Sequence, residues 1–599
     1  MMLGQLPQGI NPLSADQAQQ FETLMGSLSP LQQAWISGYL ASSALGSASS
    51  APAVAPAVAG APLTVLYGSQ TGNAKHLAQE LGDQGRARGL DVQVIDMASY
   101  KPSKLKDEKY LTIVTSTYGE GEPPEPAQKL FDFLASKKAP NLDGAQIAVL
   151  GIGDSSYEQF CQTAVDFENR LVALGASVVV ERALLDVDYD DYAQGWIGGA
   201  LDVFEPEMSR GSAPSNVVQM PGVAVPQAAK FNKKSPFAAE LLAVQKITGR
   251  DSTRDVRHIE LSLDGSGLTY QPGDALGVYF QNDADEVDAV LALMGIDGDA
   301  EVTLGDQTKP LRAALIEDLE LTQSYPTFVE KYVAATGDEA LRKLTEDKAA
   351  LRAYIEPRQI FDILRAHPHA IAPQALVDSL RKMQPRLYSI ASSQSEVEDE
   401  VHLTVGVVEW QAEGHAHLGG ASGHLGRLAG EGDSVRVYVE HNDLFRLPDS
   451  PDTPVIMIGP GTGIAPFRAF LQEREAQEAD GKSWLFFGNP HFTQDFLYQV
   501  ELQNWLKSGV LSRLDVAFSR DQAEKIYVQD RLREAGAELY AWLEAGAHLY
   551  VCGDANRMAK DVHAALVDIV AEHGQKDREA AIAYVDALRD ARRYQRDVY

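Results

Sequence analysis

Between residues 63 and 205, short apolar runs alternate with stretches of helical periodicity. The runs are rich in β-branched residues, are bounded by turn residues, and occupy 63–68, 92–96, 111–117, 147–153 and 178–185. Between them, residues 74–88 and 160–174 carry apolar side chains at the spacing of one helix face. Five buried strands that alternate with helices predict a parallel, doubly wound sheet.

A second pattern occupies residues 235–448. The blocks 235–282 and 384–447 alternate in the manner of antiparallel strands, whereas 284–380 is mostly helical in period. We therefore predict an antiparallel β-barrel with a helical insertion at about 284–380. From 449 to 599, apolar runs followed by helical periods return, which indicates a second α/β layer. The chain as a whole is predicted to be a multidomain α/β protein.

Two segments lie outside these patterns. Residues 10–42 have the spacing of one or two short helices, too small to build a core alone, and 43–62 are an uncharged stretch rich in Ala, Pro and Ser. We read 1–62 as a helical assembly segment with a linker, and 206–234 as a second, proline-containing linker. The predicted domains are then 63–205, 235–448 and 449–599.

The composition narrows the possible partners. Lys and Arg total 52 and Asp and Glu total 84, so the net charge is −32. A balance this acidic argues against binding to nucleic acid or to an anionic membrane. Two distant cysteines provide neither a disulfide framework nor a metal cluster, which suits a reducing cytoplasm. We expect no signal peptide, no membrane span and no bound metal.

Three loops follow predicted strands of the first domain. The first, GSQTGNA at 68–74, joins a strand to a helix, where backbone amides and hydroxyls can surround a phosphate. The loops at 116–124 and 151–161 carry Tyr118 and Tyr157, which can sandwich a planar ring. Alone, the first loop is equally consistent with a plain strand-to-helix turn, and each tyrosine alone is better explained as a half-buried loop anchor. Together they predict a mononucleotide site.

A second cluster lies in the barrel region. In RLYSIASS (386–393), Arg386 can pair with a diphosphate, Tyr388 can lie against a flat ring, and Ser389 can donate to a ring nitrogen. The sequence GGASGHL at 419–425 lets backbone amides approach phosphates closely. The alternative for the first motif is an ordinary amphipathic barrel strand.

The third cluster lies in the last domain. GPGTGIAP (459–466) is typical of a dinucleotide pyrophosphate turn. Downstream, Arg520 and Lys525 suit a ribose 2′-phosphate, which favours NADPH over NADH. Without the glycine turn, this stretch would be a solvated basic loop. Cys552 ends a predicted strand, and taken alone it would be a small buried hydrophobic residue of the core. Taken alone, the last residue, Tyr599, would belong to a frayed chain end.

These motifs, in this order, resemble those of the diflavin reductase family, which joins flavodoxin-like and ferredoxin–NADP reductase-like modules. The resemblance implies an FMN site formed by Ser69, Gln70, Thr71, Gly72, Asn73, Ala74, Ser116, Thr117, Tyr118, Gly119, Ile152, Gly153, Asp154, Ser155, Ser156, Tyr157, Glu158, Gln159, Phe160 and Cys161. It implies an FAD site formed by Thr322, Arg386, Leu387, Tyr388, Ser389, Thr404, Val405, Gly406, Trp410, Gly419, Gly420, Ala421, Ser422 and Tyr599.

The same resemblance implies an NADPH site and a catalytic set. The NADPH site comprises Ser519, Arg520, Lys525, Ile526, Tyr527, Val528, Gln529 and Asp561. Around the path of the hydride it implies Ser389, Cys552, Asp597 and Tyr599, with the terminal aromatic stacked on FAD until the nicotinamide displaces it. Gly423 stands where many relatives have serine, so the glycine motif is carried over only through Ser422.

Within this family, the N-terminal helical segment, the Ala/Pro linker and HNDLFRLP (441–448) look like those of the flavoprotein subunits of NADPH–sulfite reductases. That resemblance implies electron flow from NADPH through FAD and FMN to a hemoprotein (beta) subunit that carries sirohaem and an iron–sulfur cluster, with homo-oligomerisation through the N-terminal segment. The alternative is a stand-alone NADPH–cytochrome or flavodoxin-type reductase. A non-catalytic scaffold would not need intact phosphate loops.

Overall fold

The computed structural model describes residues 61–119, 121–209 and 230–599. The predicted assembly segment and most of the second linker lie outside the described residues. The first module is a parallel sheet of strand order β2-β1-β3-β4-β5, with β6 beside β4. Its strands β1 to β6 span Leu63–Gly68, Val92–Asp96, Tyr110–Ser116, Gln146–Ile152, Ser177–Val178 and Ala183–Leu185. Helices α1 to α4 span Asn73–Ala87, Glu125–Ala135, Gln162–Ala173 and Asp190–Ser209.

Buried apolar side chains cover both faces of this sheet, because strand residues alternate between two clusters that the helices complete. The predicted strand at 178–185 is instead two short strands. Between them the carbonyl of Glu181 accepts a hydrogen bond from the indole of Trp196 at 2.8 Å instead of pairing within the sheet. Helix α4 continues to Ser209 with Pro206 inside it, four residues beyond the predicted domain end at 205.

The middle module is built on a six-stranded antiparallel sheet of order β12-β9-β16-β7-β8-β13. Strands β7 to β9 span Phe237–Lys246, Val256–Ser262 and Ala275–Tyr279, and β12, β13 and β16 span Arg386–Ser389, Glu400–Gly406 and Ser434–Glu440. A hairpin, β14 (Glu409–Ala412) with β15 (His415–Leu418), precedes the short helix α13 (Gly420–Gly423). Helix α12 spans Gln394–Val397, and a π-helical turn spans His424–Leu428.

Between β9 and β12 the chain is mainly helical and has its own buried core. Helices α5 to α11 span Ala284–Met294, Leu311–Glu317, Pro326–Thr336, Glu339–Thr345, Lys348–Ile355, Ile360–Ala366 and Pro373–Ser379. A hairpin that the periodicity did not predict, β10 (Glu301–Leu304) with β11 (Gln307–Pro310), lies between the first two of these helices.

The last module is a parallel sheet of order β19-β18-β17-β20-β21. Strands β17 to β21 span Val455–Ile458, Ser483–Asn489, Arg513–Phe518, His548–Gly553 and Tyr594–Val598. Helices α14 to α20 span Ala465–Ala476, Phe492–Asp495, Gln499–Ser508, Val528–Glu534, Gly536–Glu544, Met558–His573 and Arg578–Asp590. Strand β21 was not predicted, and it places the end of the chain beside β20. Across the described ranges, every helix is too short or too polar to cross a bilayer.

Candidate functional site

The loop at 68–74 joins β1 to the N-terminus of α1. Gly72 has φ of 80°, a left-handed conformation that favours glycine, and a Cβ added there would lie 2.1 Å from a carboxylate oxygen of Glu440. The hydroxyl of Ser69 is buried and finds no hydrogen-bond partner in the described part of the chain. A buried donor without a partner at a helix N-terminus fits the phosphate of FMN.

The two other predicted loops leave β3 and β4 at the same edge of the sheet. The hydroxyl of Ser116 is also buried without a partner among the described residues. Asp154 accepts hydrogen bonds from the backbone and hydroxyl of Ser156, at 2.9 and 2.6 Å. Cys161, with φ of 53°, is buried, and burial raises the pKa of its thiol to about 12. These loops are therefore internally ordered around buried hydroxyls.

The two predicted ring-sandwiching tyrosines have different surroundings. Tyr118 is half-buried, and its hydroxyl donates to the backbone carbonyl of Val598 at 2.9 Å. Tyr157 is 56% exposed. The first tyrosine thus joins the flavodoxin-like module to the C-terminal strand, while the second borders solvent.

A cavity of about 540 Å³ brings members of the predicted FMN and FAD sites together with members of the predicted catalytic set, whereas the residues predicted for the NADPH site do not line it. Its walls include Ser69, Gln70, Thr71 and Gly72 from the first module, Leu387, Tyr388, Ser389, Thr404 and Gly406 from the middle module, and Thr462, Asp597 and Tyr599 from the last. Sequence reasoning missed several of its charged walls, namely Lys75, Asp96, Glu440, His441, Asp443 and Arg592. Three of them had a signal: Lys75 follows the phosphate loop directly, and His441 and Asp443 lie in the HNDLFRLP motif.

The predicted catalytic set meets where β12 faces the paired strands β20 and β21. Ser389 donates its hydroxyl hydrogen to a carboxylate oxygen of Asp597 at 2.6 Å, and the same oxygen lies 3.9 Å from the sulfur of Cys552. Burial raises the pKa of Asp597 above its usual value and that of Cys552 well above its usual value. The result is a hydroxyl, a thiol and a carboxyl around one carboxylate oxygen, with the thiol fully buried and the other two groups at the cavity wall.

Tyr599 lies over this set. Its backbone amide donates to Gly553, its carbonyl accepts from Ala555, and its hydroxyl lies 2.9 Å from that of Thr462. The side chain remains 61% exposed. An anchored backbone with an exposed ring allows the ring to move while the strand stays in place.

The predicted diphosphate residues come together beside the helical segment. Arg386 donates to Glu320 and Gln323 at 3.3 and 3.0 Å. A Cβ added at Gly420 would lie 2.4 Å from the ring of Phe280 and 2.8 Å from the hydroxyl of Thr322. The Arg386 guanidinium lies 5.9 Å from the centroid of the same Phe280 ring, and a bare backbone, a hydroxyl and a guanidinium around one ring fit a diphosphate. Ala421 and Ser422 lie in the buried first turn of α13.

Two predicted FAD residues have other contacts. The hydroxyl of Thr404 lies 2.7 Å from that of Tyr498 in the last module, which also lies 3.0 Å from His258. Trp410 donates to the carbonyl of Pro357 and packs against His417, 5.2 Å between ring centroids. Thr404 still lines the cavity, whereas Trp410 belongs to the β14–β15 hairpin.

In the last module the glycine turn and the basic stretch have different exposures. A Cβ added at Gly463 would lie 2.2 Å from the carbonyl of Cys552, so this turn packs directly on β20. Arg520 and Lys525 are exposed. Gln529 donates to Asp561 at 3.3 Å. Val528, in contrast, is buried in the module core, so its side chain is not available to a ligand. Two cations in an acidic chain fit a 2′-phosphate.

Comparisons with known proteins agree with this architecture. The chain matches the family models for flavodoxin over residues 65–196, an FAD binding domain over 229–424 and an oxidoreductase NAD-binding domain over 457–564. It is 51% identical to the sulfite reductase [NADPH] flavoprotein alpha-component of Yersinia enterocolitica, over 99% of each chain. It is 49% identical to the protein of that name from Aliivibrio fischeri, over 100% of each chain.

A third relative of the same name, from Cronobacter sakazakii, is 50% identical over 99% of each chain. The similarity therefore runs the length of the chain and is not confined to one cofactor module. The three matched models account for the FMN, FAD and NADPH expected from the motifs. The chain belongs to the family of sulfite reductase [NADPH] flavoprotein alpha-components.

Proposed function

We propose that this chain takes electrons from NADPH and passes them through FAD and FMN to a hemoprotein subunit that reduces sulfite to sulfide. The observation that carries the proposal is the shared cavity, in which the phosphate loop, the RLYS strand and the C-terminal strand face one another. When bound, the nicotinamide and the flavins supply the hydride and single-electron chemistry. The chain supplies binding, orientation and exclusion of water.

The row of Ser389, Asp597 and Cys552 is the proposed hydride site. Asp597 holds the Ser389 hydroxyl in one orientation through the 2.6 Å hydrogen bond. Cys552 presents a neutral thiol, because burial raises its pKa. Tyr599 covers the site and excludes water until its ring moves aside.

The cofactor holders are proposed on the same geometry. Ser69 and Ser116 would give their unpartnered hydroxyls to FMN, in the loops formed by the residues predicted for that site. Arg386, Thr322 and Gly420 would hold the FAD diphosphate. Arg520 and Lys525 would recognise the 2′-phosphate of NADPH, and Gln529 with Asp561 would border it.

The proposed assembly follows from the relatives and from the domain prediction. We infer that the partner hemoprotein carries sirohaem and an iron–sulfur cluster, since two distant cysteines cannot bind them here. Residues 1–62 are proposed to drive homo-oligomerisation. The modules at 63–205, 235–448 and 449–599 are proposed as separate domains joined through 206–234. The antiparallel sheet is proposed to close as a barrel, since a bridge pairs Ile390 beyond β12 with Leu403 of β13.

Flavin analysis and nucleotide preference test the proposal. The purified chain should release FMN and FAD in equal amounts and reduce a soluble dye far faster with NADPH than with NADH. A chain that lacks FMN, or that uses both nucleotides equally, would refute the dual-flavin path. Deleting residues 1–62 should leave dye reduction intact and change the oligomeric state. Loss of flavin from this truncated chain would show instead that the segment belongs to the core.

The second candidate is a stand-alone NADPH–cytochrome or flavodoxin-type reductase. The three cofactor sites would be the same, so only the acceptor separates the candidates. The full-length identity of 49 to 51% to sulfite reductase components favours the first.

A further inference from the structure

Strand β21 (Tyr594–Val598) has different neighbours on its two sides. Asp597 points to the middle module, where it accepts from Ser389. Arg596 points the other way, to the flavodoxin-like module, since successive side chains of a strand alternate. Its Nε lies 3.0 and 3.1 Å from the two carboxylate oxygens of Glu125, the first residue of α2. The strand that carries the proposed hydride site is thus held from both sides.

A second contact supports the first. The hydroxyl of Tyr118 donates to the carbonyl of Val598, one residue before the terminal Tyr599. β21 is the last strand of its sheet, and within the described residues it pairs with β20 alone. An edge strand exposes unpaired backbone groups, so a donor from another module stabilises it. Both contacts from the flavodoxin-like module therefore fall on residues that flank Asp597.

The Glu125 contact differs from the other ion pairs between these modules. Glu125 and Arg596 have side chains only 20% and 21% exposed, and Arg589 adds a second cation 3.5 Å from the same carboxylate. Lys129, on the same helix α2, pairs with Asp590 at 2.9 Å, but both side chains are more than half exposed. Asp590 ends helix α20 and is not part of the strand. Partly buried charges in close contact are screened less by solvent than exposed ones.

We propose that Arg596 is a positioning residue. Through its ion pair with Glu125, the docked flavodoxin-like module holds strand β21 in place, and with it Asp597 and Tyr599. Departure of that module towards an acceptor then loosens the strand and frees the Tyr599 ring. Because coupling between two equilibria is reciprocal, displacement of Tyr599 also weakens docking. Nucleotide access and departure of the FMN-carrying module are linked through one strand. The inference rests on the proposed roles of Asp597 and Tyr599.

Hydrogen–deuterium exchange of the flavin-loaded, full-length chain tests this coupling. The variants Glu125→Gln and Arg596→Gln should each accelerate exchange in residues 594–599 about tenfold, because the strand opens more often. The double variant should exchange no faster than Glu125→Gln alone, since that variant already removes the contact with Arg596. Arg596→Lys, which keeps the charge, should restore part of the protection. Lys129→Gln is the matched control and should leave exchange of the strand unchanged.

Unchanged exchange in Glu125→Gln would overturn the proposal, and so would equal acceleration in Lys129→Gln, which would mean that docking in general protects the strand. Glu125→Gln alters only the flavodoxin-like module, so the test does not depend on folding of the Arg596 variants. Exchange is measured without nucleotide or acceptor. Failure here therefore leaves the proposed electron path intact, and failure of that path would appear in flavin content and nucleotide preference instead.

Discussion

The hydride site and the nucleotide-recognition stretch use polar residues in opposite ways. At the first, Ser389, Cys552 and Asp597 form a closed row between modules, with Cys552 fully buried. At the second, Arg520 and Lys525 lie exposed on the loop between β19 and α17. One region is ordered before any ligand arrives. The other presents charge to solvent.

The difference follows from what each region must do. Transfer of a hydride needs fixed geometry and exclusion of water, so its polar groups must satisfy one another inside the protein. Recognition of a phosphate needs long-range attraction. In a chain of net charge −32, two exposed cations provide a local positive charge that can attract it. We therefore expect changes in the row at the hydride site to alter the rate of the step, and changes in the exposed pair to alter binding.

The largest effect is expected from Asp597→Asn. The amide keeps the size of the side chain but loses the charge that orients the Ser389 hydroxyl. The limiting rate of flavin reduction by NADPH should fall about a hundredfold, with little change in half-saturation. Anaerobic stopped-flow absorbance measures both quantities. A variant that keeps its limiting rate would show that Asp597 has no role in the hydride step.

Arg520→Ala should have the next largest effect. Loss of one charged phosphate contact costs about 2 kcal/mol, so the preference for NADPH over NADH should fall about thirtyfold. Dye reduction with each nucleotide measures the preference, and Arg533→Ala, at an exposed cation paired with Asp568, is the control. An unchanged preference would mean that the 2′-phosphate lies elsewhere.

The pH dependence separates the two regions further. Burial raises the pKa of Asp597, so its carboxylate becomes protonated at a higher pH than an ordinary Asp. As the pH falls through that value, the anion that accepts from Ser389 is lost and the limiting rate should fall, about tenfold one pH unit below it. The midpoint should lie above 3.8. Asp597→Asn should lack this acidic limb, and retention of the limb in that variant would assign it to another group.

Salt should have the smallest effect and should act on the exposed region alone. Raising ionic strength from about 0.1 to 1 M shortens the screening length from about 10 to 3 Å. Half-saturation for NADPH should rise a fewfold while the limiting rate stays constant, as stopped-flow titrations at each salt concentration would show. Arg520→Ala should respond less. A fall in the limiting rate with an unchanged half-saturation would reverse the assignment of the two regions.

Most of the parallel architecture could be predicted from the sequence, because the inner strands β1, β3, β4, β17, β18 and β20 are largely buried and so appear as continuous apolar runs. Strand β21 could not, since YQRDV mixes polar and apolar residues. Its polar members are explained by long-range partners: Asp597 faces Ser389 and Arg596 faces Glu125. The hydrophobic periodicity of a segment carries no information about such long-range contacts.

The candidate site shows the same limit. Motifs predicted the loops that meet in the cavity, but they could not show that Glu440 lies against Gly72 or that Val528 is buried. A residue inside a motif need not face the ligand, as Val528 packs in the core while its neighbours are exposed or half-buried. Residues from other modules enter the site only through folding.

Sulfide formation measures whether electrons reach the proposed acceptor. The full-length chain, NADPH and sulfite would be combined anaerobically with a purified sulfite-reducing hemoprotein, and sulfide would be quantified against NADPH consumed. Sulfide should form only when both proteins are present, at a rate that falls with Asp597→Asn. Rapid dye reduction by the chain without any sulfide in the complete mixture would contradict the proposed electron path.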